Sequence, residues 1–582
     1  MLKNEFIKGM DISSHPEMMD KGYKYYDYDG REVNILDFAK EQGFNYGRLR
    51  IWNDPSNNED GCSYCDLAHT KQMAKEIKSR DLGLLLDFHY SDWWADPGNQ
   101  KKPRAWENLT GEALNKAVYD YTKEVLEALD KNSTYPDMVQ VGNEIRCGML
   151  WPDGLTSNWD LLAALINAGI RAVRDTQNGH DVQIMLHLDQ GGRYYYFKEW
   201  FDNAIARNVT DFDIIGLSYY PFWHGTFYDL KNTMESLVER YNKPLIIAEM
   251  AHAYRKYEGS FFGEAQERLT GFPAGGEGQK EVLELIMSIT ANISDKKGLG
   301  VFYWEPFSRA EDEQDKDSWG SCMSVVDMKG QATLGMKAFK SDPYQIDAEK
   351  NAKIYLPNRI TVTIQDKPED YLPEFVKVLK YDGRLIKKAV EWDFDKNMLI
   401  KNDVCIIKGK LKESGEAISI SIKLVDKKED KNLLQNAKFE NIYEGKPKQW
   451  DIYVEAASEC FVGEVQQDID AYYFKSSANF KLDLSQKVKN ASKGHYSFSV
   501  LYQGDNTTGV NIKLYAGKEV SGADYNEIAS TIIYPSDEDW TEYRFMFDYD
   551  GEDTLKVGLK VDAPAIYGKV KGFRLESKVV TN

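Results

Sequence analysis

The sequence predicts a multidomain protein in which a (β/α)8 TIM barrel is followed by a small β-sandwich and a larger jelly-roll β-sandwich. Its 582 residues are too many for a single hydrophobic core. Between residue 6 and about residue 341, short apolar runs alternate eight times with stretches of helical periodicity. Beyond residue 343 the helical periodicity stops, and short alternating runs separated by turns replace it.

The barrel prediction depends on the alternation of strands and helices. The predicted strands span residues 6–14, 46–52, 83–92, 138–145, 183–191, 212–221, 244–252 and 298–306. The predicted helices span residues 34–44, 67–80, 111–130, 159–176, 194–208, 227–241, 279–295 and 331–340. Eight such units form a parallel sheet that closes into a barrel. A doubly wound open sheet is the alternative, but no glycine-rich phosphate-binding turn follows the first strand.

Three domains follow from the composition. The barrel occupies residues 1–345, and alternating runs at 354–364, 375–381, 389–392 and 403–411 predict a β-sandwich over residues 350–425. A charged run at 426–431 indicates a solvated linker. Short strands at 496–502, 510–515, 528–534, 542–547 and 554–561 predict a jelly-roll over residues 432–582.

The charge balance limits the class of partner. Lys and Arg number 73 and Asp and Glu 93, which gives a net charge of −20. That excess argues against nucleic acid and against an anionic membrane surface. No apolar run approaches the roughly 20 residues of a membrane helix, and the first residues lack a signal-peptide core. We expect a monomer that is secreted or attached to the cell surface after removal of a signal, or a cytoplasmic protein if the N-terminus is native.

The cysteines do not predict a zinc site. Cys62 and Cys65 form a Cys-x-x-Cys pair, but no second pair or histidine cluster accompanies it. A local disulfide and two thiols both remain open.

Two glutamates end apolar runs of the predicted barrel. Glu144 follows the fourth run and Glu249 ends the seventh. In a barrel both lie at the C-terminal face, where catalytic residues are found. Two facing carboxylates are the groups needed for glycosidic bond cleavage, one as proton donor and one as nucleophile. The alternative is that each glutamate caps a helix or pairs with an arginine. The proton donor should have a pKa raised by the negative charge of the nucleophile.

Polar and aromatic residues also end other predicted strands. Arg48 and Arg50 alternate along the second strand and therefore share a face. An arginine near the nucleophile would keep that carboxylate ionised. Further candidates at the same end of the barrel are His89, Asp92, Trp94, Asp96, Tyr220, Trp223 and Trp304. The tryptophans have flat apolar faces on which sugar rings can stack, and the 13% aromatic content suits a neutral sugar substrate.

Several motifs together resemble glycoside hydrolase family 53 of clan A, the endo-β-1,4-galactanases. They are Gly-Met-Asp-Ile-Ser at 9–13, Arg-Leu-Arg-Ile-Trp-Asn-Asp-Pro at 48–55, Asp-Phe-His-Tyr-Ser-Asp-Trp-Trp-Ala-Asp-Pro at 87–97, Val-Gly-Asn-Glu at 141–144, Gly-Leu-Ser-Tyr-Tyr-Pro-Phe-Trp at 216–223 and Tyr-Trp-Glu-Pro at 303–306. The resemblance covers residues 6 to about 341. It implies retaining hydrolysis within the β-1,4-galactan side chains of pectic type I arabinogalactan.

The resemblance also implies roles for individual residues. Glu144 would be the acid/base and Glu249 the nucleophile. Asn143 would hydrogen-bond the sugar 2-hydroxyl, and Arg48, with His89 beside it, would hold the nucleophile charged. Tyr220, rather than Tyr219, would contact the nucleophile, and Trp304 would line the subsite of the reacting sugar. The remaining candidates would contact substrate.

No cofactor is implied and no metal is assigned. Bacterial relatives often bind calcium in the loop after strand seven, but Met-Ala-His-Ala-Tyr-Arg-Lys at 250–256 departs from their pattern. A structural calcium there, or near Glu440, is left open.

The later regions resemble accessory modules. Residues 351–425 resemble a bacterial immunoglobulin-like domain, and residues from 432 resemble a family 61 carbohydrate-binding module with Trp540, Tyr502 and Tyr534 as candidate stacking residues. Two other functions remain as alternatives. One is a clan A hydrolase of another β-linked polysaccharide, such as mannan or glucan. The other is a non-catalytic polysaccharide-binding protein.

Overall fold

The N-terminal part of the computed structural model is a closed barrel of eight parallel strands. The described residues are 5–57, 64–312, 314–356, 360–363, 372–400, 403–425, 432–439, 441–443, 445–456, 461–466, 470–476, 478–488, 491–504, 511–519, 525–533, 540–563 and 566–578. Among the helices within these ranges, none combines the length and apolar character needed to cross a membrane.

The predicted barrel is confirmed strand by strand. The strands are β1 (Ile7–Asp11), β2 (Tyr46–Ile51), β3 (Gly83–Phe88), β4 (Met138–Val141), β5 (Gln183–Leu188), β6 (Ile214–Ser218), β7 (Leu245–Met250) and β8 (Gly298–Tyr303). Each strand pairs in parallel with its neighbours in chain order, and β8 pairs with β1. Every strand ends earlier than predicted. The polar residues after the strands turn into loops and leave the hydrogen-bonded ladder.

Seven α-helices follow strands β1 to β7. They are Ile35–Glu41, Leu67–Ser79, Gly111–Asp130, Trp159–Arg174, Tyr194–Ile205, Phe227–Tyr241 and Gly276–Ala291. Two shorter helices, His15–Asp20 and Glu264–Thr270, lie in the loops after β1 and β7. The helix predicted at 331–340 is instead a 3-10 helix, Leu334–Lys340. Gly335 near its start disfavours an α-helical first turn.

Apolar side chains fill the lower part of the barrel interior. They are Tyr46, Leu85, Met138, Met185, Ile214, Ile246, Ala248 and Phe302. Most lie in the first half of their strands, so one end of the barrel is a packed core. The polar strand ends are therefore gathered at the other end, where the chemistry of a TIM barrel lies.

The chain continues with β-sheet regions. The strands β9 (Asn351–Tyr355), β10 (Ile360–Thr363), β11 (Phe375–Lys380), β12 (Leu385–Asp393), β13 (Val404–Leu411) and β14 (Ala417–Val425) form one sheet in the order β9-β11-β12-β13-β14-β10. The run predicted at 354–364 is thus two strands. The last strand, β14, was not predicted, because its solvent-facing serines and lysine dilute the apolar pattern.

The C-terminal region is a sandwich of two five-stranded antiparallel sheets. Its strands are β15 (Asp451–Ala456), β16 (Phe461–Gln466), β17 (Ala471–Ser476), β18 (Phe480–Val488), β19 (Gly494–Gly504), β20 (Asn511–Glu519), β21 (Tyr525–Ile533), β22 (Thr541–Tyr549), β23 (Leu555–Ala563) and β24 (Ile566–Lys578). The sheet orders are β15-β18-β23-β20-β21 and β16-β17-β24-β19-β22. A shared aromatic and aliphatic core lies between them. The bounds of the three predicted domains stay a prediction.

Candidate active site

Glu249 lies at the C-terminal end of β7 and is 6% exposed. Its Oε1 accepts a hydrogen bond of 3.1 Å from Arg48 Nη1, and its Oε2 accepts one of 2.9 Å from the Tyr220 hydroxyl. Both carboxylate oxygens are therefore held in place, one by a cation from β2 and the other by a phenol that follows β6.

Arg48 is itself fixed by a ring of acceptors. Its guanidinium donates to Asp11 at 3.0 Å, to Asp87 at 2.8 Å and to Asn143 at 2.9 Å. A longer contact of 3.3 Å reaches Gln140. The whole side chain is buried, so the charge cannot be screened by water. The planar, multidentate guanidinium suits this role better than a lysine would.

Glu144 follows β4 in a left-handed backbone conformation with φ of 48°. Such a conformation costs of order 1–3 kcal/mol and turns the side chain out of the strand direction. Its Oε1 accepts a hydrogen bond of 2.6 Å from the Ser218 hydroxyl. Carboxylate oxygens of Glu144 and Glu249 lie within 4.8 Å of each other. The two glutamates predicted as a pair are thus brought together.

The two carboxyl groups have unequal electrostatic surroundings. Burial, followed by the negative charge of Glu249, raises the pKa of Glu144 well above its usual value. The pKa of Glu249 is also raised, to about 7. Burial is the main cause, and Arg48 and the Tyr220 hydrogen bond limit the rise. The negative charge therefore resides on Glu249 and the proton on Glu144. The charge of the nucleophile was expected to raise the pKa of Glu144, and it does so as the second cause after burial.

Asn143 and His89 lie beside this pair. Asn143 is 5% exposed, and its Nδ2 donates to the Ala95 carbonyl at 2.8 Å, which leaves one amide proton for another acceptor. His89 does not touch Glu249. Its Nε2 lies 3.1 Å from Asp87, and its Nδ1 accepts from the backbone amide of Ala95. His89 therefore acts on Arg48 through Asp87.

Arg50 is buried rather than open to a ligand. It donates to the Glu305 carboxylate in a short contact and to Ser14 Oγ at 2.9 Å. Its guanidinium carbon lies 4.1 Å from the centre of the Trp94 ring. Arg50 is 3% exposed, and its guanidinium packs against the ring of Trp94. These contacts favour a structural role for Arg50, and its predicted contact with substrate stays a prediction.

Half-buried tryptophans border the two glutamates. The ring centres of Trp94 and Trp304 are 5.8 Å apart, and Trp304 packs edge-on against Trp319 at 4.7 Å. Trp223 packs against the Tyr220 ring at 5.4 Å. Trp319 was not predicted as a site residue, because the loop after β8 in which it lies has no periodic pattern. Gln140 was not predicted either, although a polar residue inside the apolar β4 run was a usable signal.

Asp92 and Asp96 lie in the loop after β3, and their carboxylates accept hydrogen bonds from backbone amides. The Asp92 carboxylate accepts from the backbone amides of Asp54 and Arg104 at 3.0 and 2.8 Å. The exposed Asp96 accepts from the amide of Gly98 at 2.7 Å. Both side chains fix the shape of the loop that carries Trp94. The predicted substrate contact of these two residues is not supported by this placement.

The geometry was compared with known proteins. The family model "Glycosyl hydrolase family 53" matches residues 7–339, more than half of the chain. The chain belongs to glycosyl hydrolase family 53. This family 53 chain is 35% identical to an endo-β-1,4-galactanase of Bacillus subtilis, over 52% of the chain and 71% of that protein. It is also 35% identical to an arabinogalactan endo-β-1,4-galactanase of Cellvibrio japonicus, over 52% and 80%.

A solved structure of the family shares the barrel. The GH53 catalytic domain of Ignisphaera aggregans is 37% identical and covers 58% of this chain and 96% of its own, with a TM-score of 0.54. The family 53 chain is therefore a glycoside hydrolase.

The loop after β7 of this hydrolase does not fit a calcium ion. The acidic residue Glu267 accepts from Lys256 Nζ at 3.0 Å and from the backbone amide of Ala274 at 2.9 Å. Glu258 accepts from the amide of Glu264. The carboxylates of Glu267 and Glu258 are thus bound by a lysine and by backbone amides, whereas calcium is held by several carboxylate and carbonyl oxygens together.

Several predicted features of the other regions can now be placed. Tyr502 is 1% exposed and belongs to the sandwich core, so it is no stacking residue. Trp540 is half-buried with Lys571 Nζ 4.1 Å from its ring centre. Cys65 is buried. Cys62, Glu440 and Tyr534 lie outside the described residues.

Proposed function

We propose that this chain is a retaining endo-hydrolase of β-1,4-galactan, with Glu249 as nucleophile and Glu144 as acid/base. The observation that carries the mechanism is the proximity of the two carboxyl groups, since one oxygen of Glu144 lies within 4.8 Å of one oxygen of Glu249. Retaining glycosidases hold their carboxyl groups about 5–5.5 Å apart, whereas inverting enzymes need about 6.5–9.5 Å for an intervening water. The substrate assignment is supported by the galactanase relatives.

The reaction proceeds in two displacements. The ionised Glu249 attacks the anomeric carbon while Glu144 gives its proton to the departing glycosidic oxygen, which leaves a covalent glycosyl-enzyme. Glu144, now ionised, takes a proton from water, and the resulting hydroxide oxygen bonds to the anomeric carbon and releases Glu249. The pKa ordering of the two groups matches these roles, because Arg48 and Tyr220 favour the charge on Glu249.

The surrounding residues provide the sugar contacts. The free amide proton of Asn143 would donate to the 2-hydroxyl of the sugar at the cleavage site, a contact that strengthens in the transition state. Trp304, Trp94 and Trp223 would stack against the flat faces of successive sugars. The protein would act outside the cell on plant cell-wall galactan, and the C-terminal module would bind the same polymer.

Substitution of each glutamate tests the mechanism. We expect Glu249→Ala to lower kcat on linear β-1,4-galactan by about four orders of magnitude or more, as nucleophile substitutions do. Added azide should rescue it with formation of the inverted galactosyl azide. Glu112→Ala, at an exposed glutamate in the first turn of helix Gly111–Asp130, should leave kcat unchanged. Retained hydrolysis in Glu249→Ala would refute the nucleophile assignment.

A panel of purified polysaccharides tests the substrate. Mass analysis of the products should show internal cleavage of β-1,4-galactan and no cleavage of β-mannan or β-glucan. A preference for either of the latter would favour the alternative clan A hydrolase. Binding without hydrolysis of any polymer would favour the non-catalytic alternative.

A further inference from the structure

Ser218 and His187 form a hydrogen-bonded pair behind Glu144. Ser218 is the last residue of β6, and His187 lies near the end of the adjacent β5. Both side chains are fully buried. Ser218 Oγ lies 2.6 Å from Glu144 Oε1 and 2.9 Å from His187 Nε2. The proposed reaction assigns neither residue a role.

The direction of each hydrogen bond follows from counting protons. A serine hydroxyl has one proton, which an ionised Glu144 can only accept and which a protonated Glu144 accepts on the oxygen that carries no proton. Ser218 therefore donates to Glu144 Oε1. Because that proton is used, Ser218 Oγ must accept from His187, so the imidazole proton lies on Nε2.

The other nitrogen of His187 agrees with this tautomer. Its Nδ1 lies 3.1 Å from Gln140 Nε2, which is a donor. Asn143 Oδ1 is also close to Nδ1, at 3.0 Å, but it already accepts from Arg48 and from Gln140. Gln140 Nε2 also lies 3.1 Å from the Gly142 carbonyl oxygen, so its two protons are shared among three acceptors, and Nδ1 accepts one of them in the tautomer protonated at Nε2.

His187 stays neutral over the working range of the enzyme. Burial first, and then the positive charge of Arg48, lower the pKa of His187 to about 3. The ring is therefore uncharged near neutral pH, and its hydrogen-bond partners, rather than a change of charge, decide its tautomer.

We propose that the Ser218–His187 pair positions the proton of Glu144 on Oε2, the oxygen that can give it to the leaving group. This inference rests on the proposed role of Glu144 as acid/base. With Oε1 occupied by a donated hydrogen bond, a proton on Oε1 would meet the Ser218 proton. The pair thus excludes a proton on Oε1, from which Glu144 could not protonate the leaving group. It also fixes the plane of the carboxyl group between turnovers.

The charged and titratable groups that surround Glu144 come from several elements. They are Glu249 on β7, Asp189 after β5 with its partner Arg146, Asp96 after β3, Tyr220 after β6 and Arg48 on β2. Glu249, Asp189 and Asp96 raise the pKa of Glu144, and the Ser218 hydrogen bond lowers it. Loss of the hydroxyl should therefore raise that pKa further.

The test compares two substrates with different leaving groups. In Ser218→Ala we expect kcat on β-1,4-galactan to fall about tenfold with KM unchanged, the effect of losing about 1.4 kcal/mol of transition-state positioning. On a 2,4-dinitrophenyl β-1,4-galactobioside the loss in kcat/KM should nearly disappear, because kcat/KM reports the first displacement and this leaving group departs without a proton. Since activity requires protonated Glu144, the basic limb of the kcat profile should move to higher pH.

Two variants control the experiment. Ser218→Thr keeps a hydroxyl and should restore most of kcat. Ser288→Ala removes another fully buried hydroxyl, in helix Gly276–Ala291, and should behave as the parent on both substrates. An equal loss on both substrates in Ser218→Ala, or a change in KM alone, would overturn the inference.

Glu144→Ala separates this inference from the proposed function. If that variant loses kcat/KM, which reports the first displacement, equally on both substrates, the acid/base role itself fails. If it retains activity on the dinitrophenyl substrate while Ser218→Ala shows no dependence on the leaving group, only the positioning role fails. In the unmodified protein, nitrogen NMR of labelled histidines, assigned with His187→Gln, should show a neutral ring protonated at Nε2. A proton at Nδ1 would contradict the proposed direction of the hydrogen bonds.

Discussion

Tyr220 influences the charge of Glu249 through a single hydrogen bond. The hydroxyl donates to the carboxylate at 2.9 Å. Burial raises the pKa of Glu249, this hydrogen bond lowers it, and the resulting pKa is about 7. Activity requires ionised Glu249 and is lost as the pH falls through this pKa. Removal of the hydroxyl in Tyr220→Phe should raise the pKa, so the acidic limb of the kcat/KM profile should move to higher pH by about one unit, the worth of a hydrogen bond to a charged group.

The neighbouring tyrosine provides the control for this prediction. Tyr219 is equally buried, but its hydroxyl donates to the Gly225 carbonyl at 3.1 Å. Tyr219→Phe should therefore leave the acidic limb in place. An unchanged limb in Tyr220→Phe would show that Arg48 alone sets the charge of the nucleophile.

Some residue roles could be expected from the sequence and others could not. Glu144 and Glu249 stand out because a carboxylate after a buried apolar run needs a partner or a ligand. Arg50 and Asp92 look equivalent to them in sequence, since both occur near strand ends. Only the three-dimensional contacts show that their polar atoms bind other parts of the protein. Trp319 gave no sequence signal, because an aromatic residue in a long loop has no periodic neighbours.

Arg50 connects three barrel strands through buried contacts. It lies on β2, contacts Glu305 just after β8 and lies 3.4 Å from Asp11 at the end of β1. Arg50→Met would leave the buried Glu305 carboxylate without its cation, whereas Asp11 would keep Arg48. Breaking such a pair costs about 3–5 kcal/mol. We expect a loss of that size in the free energy of unfolding of the barrel, measured by urea denaturation and tryptophan fluorescence.

An exposed arginine shows what the same substitution costs without burial. Arg31 pairs with Asp27 and Asp29 while its own side chain is 73% exposed. Arg31→Met should change the free energy of unfolding by less than about 1 kcal/mol. Equal effects of the two substitutions would show that burial of Arg50 adds nothing to the stability of the barrel.

The order of elements was predictable, whereas their ends were not. Apolar runs in alternation with helical periodicity identify eight β/α units because each pattern reflects one buried face. The strand ends were misplaced because the mostly polar residues that follow each apolar run had been counted with the strand, although they have already left the hydrogen-bonded ladder. In the C-terminal sandwich five of the ten strands of its two sheets were expected, although strands such as Asp451–Ala456 also alternate between exposed and more buried residues.

The full chain joins a hydrolase barrel to β-sheet regions with separate cores. The barrel interior is one cluster of apolar side chains and the C-terminal sandwich another. The net charge of −20 argues against polyanionic partners, so a neutral polymer is the expected ligand. If the sandwich binds galactan, attachment to the polymer raises the local concentration of substrate around the barrel.

Removal of residues 432–582 tests whether the barrel hydrolyses galactan while the sandwich binds it. The shortened chain should keep kcat and KM on soluble galactan oligosaccharides, because the glutamates and their contacts lie in the barrel. On insoluble cell-wall galactan, adsorption should fall by about 10²-fold or more, the size of effects expected when one of two linked binding sites is lost. A sedimentation assay measures adsorption, and reducing-sugar release at low enzyme concentration should fall in parallel. Unchanged adsorption would place all polymer binding in the barrel and would contradict a galactan-binding role for the sandwich.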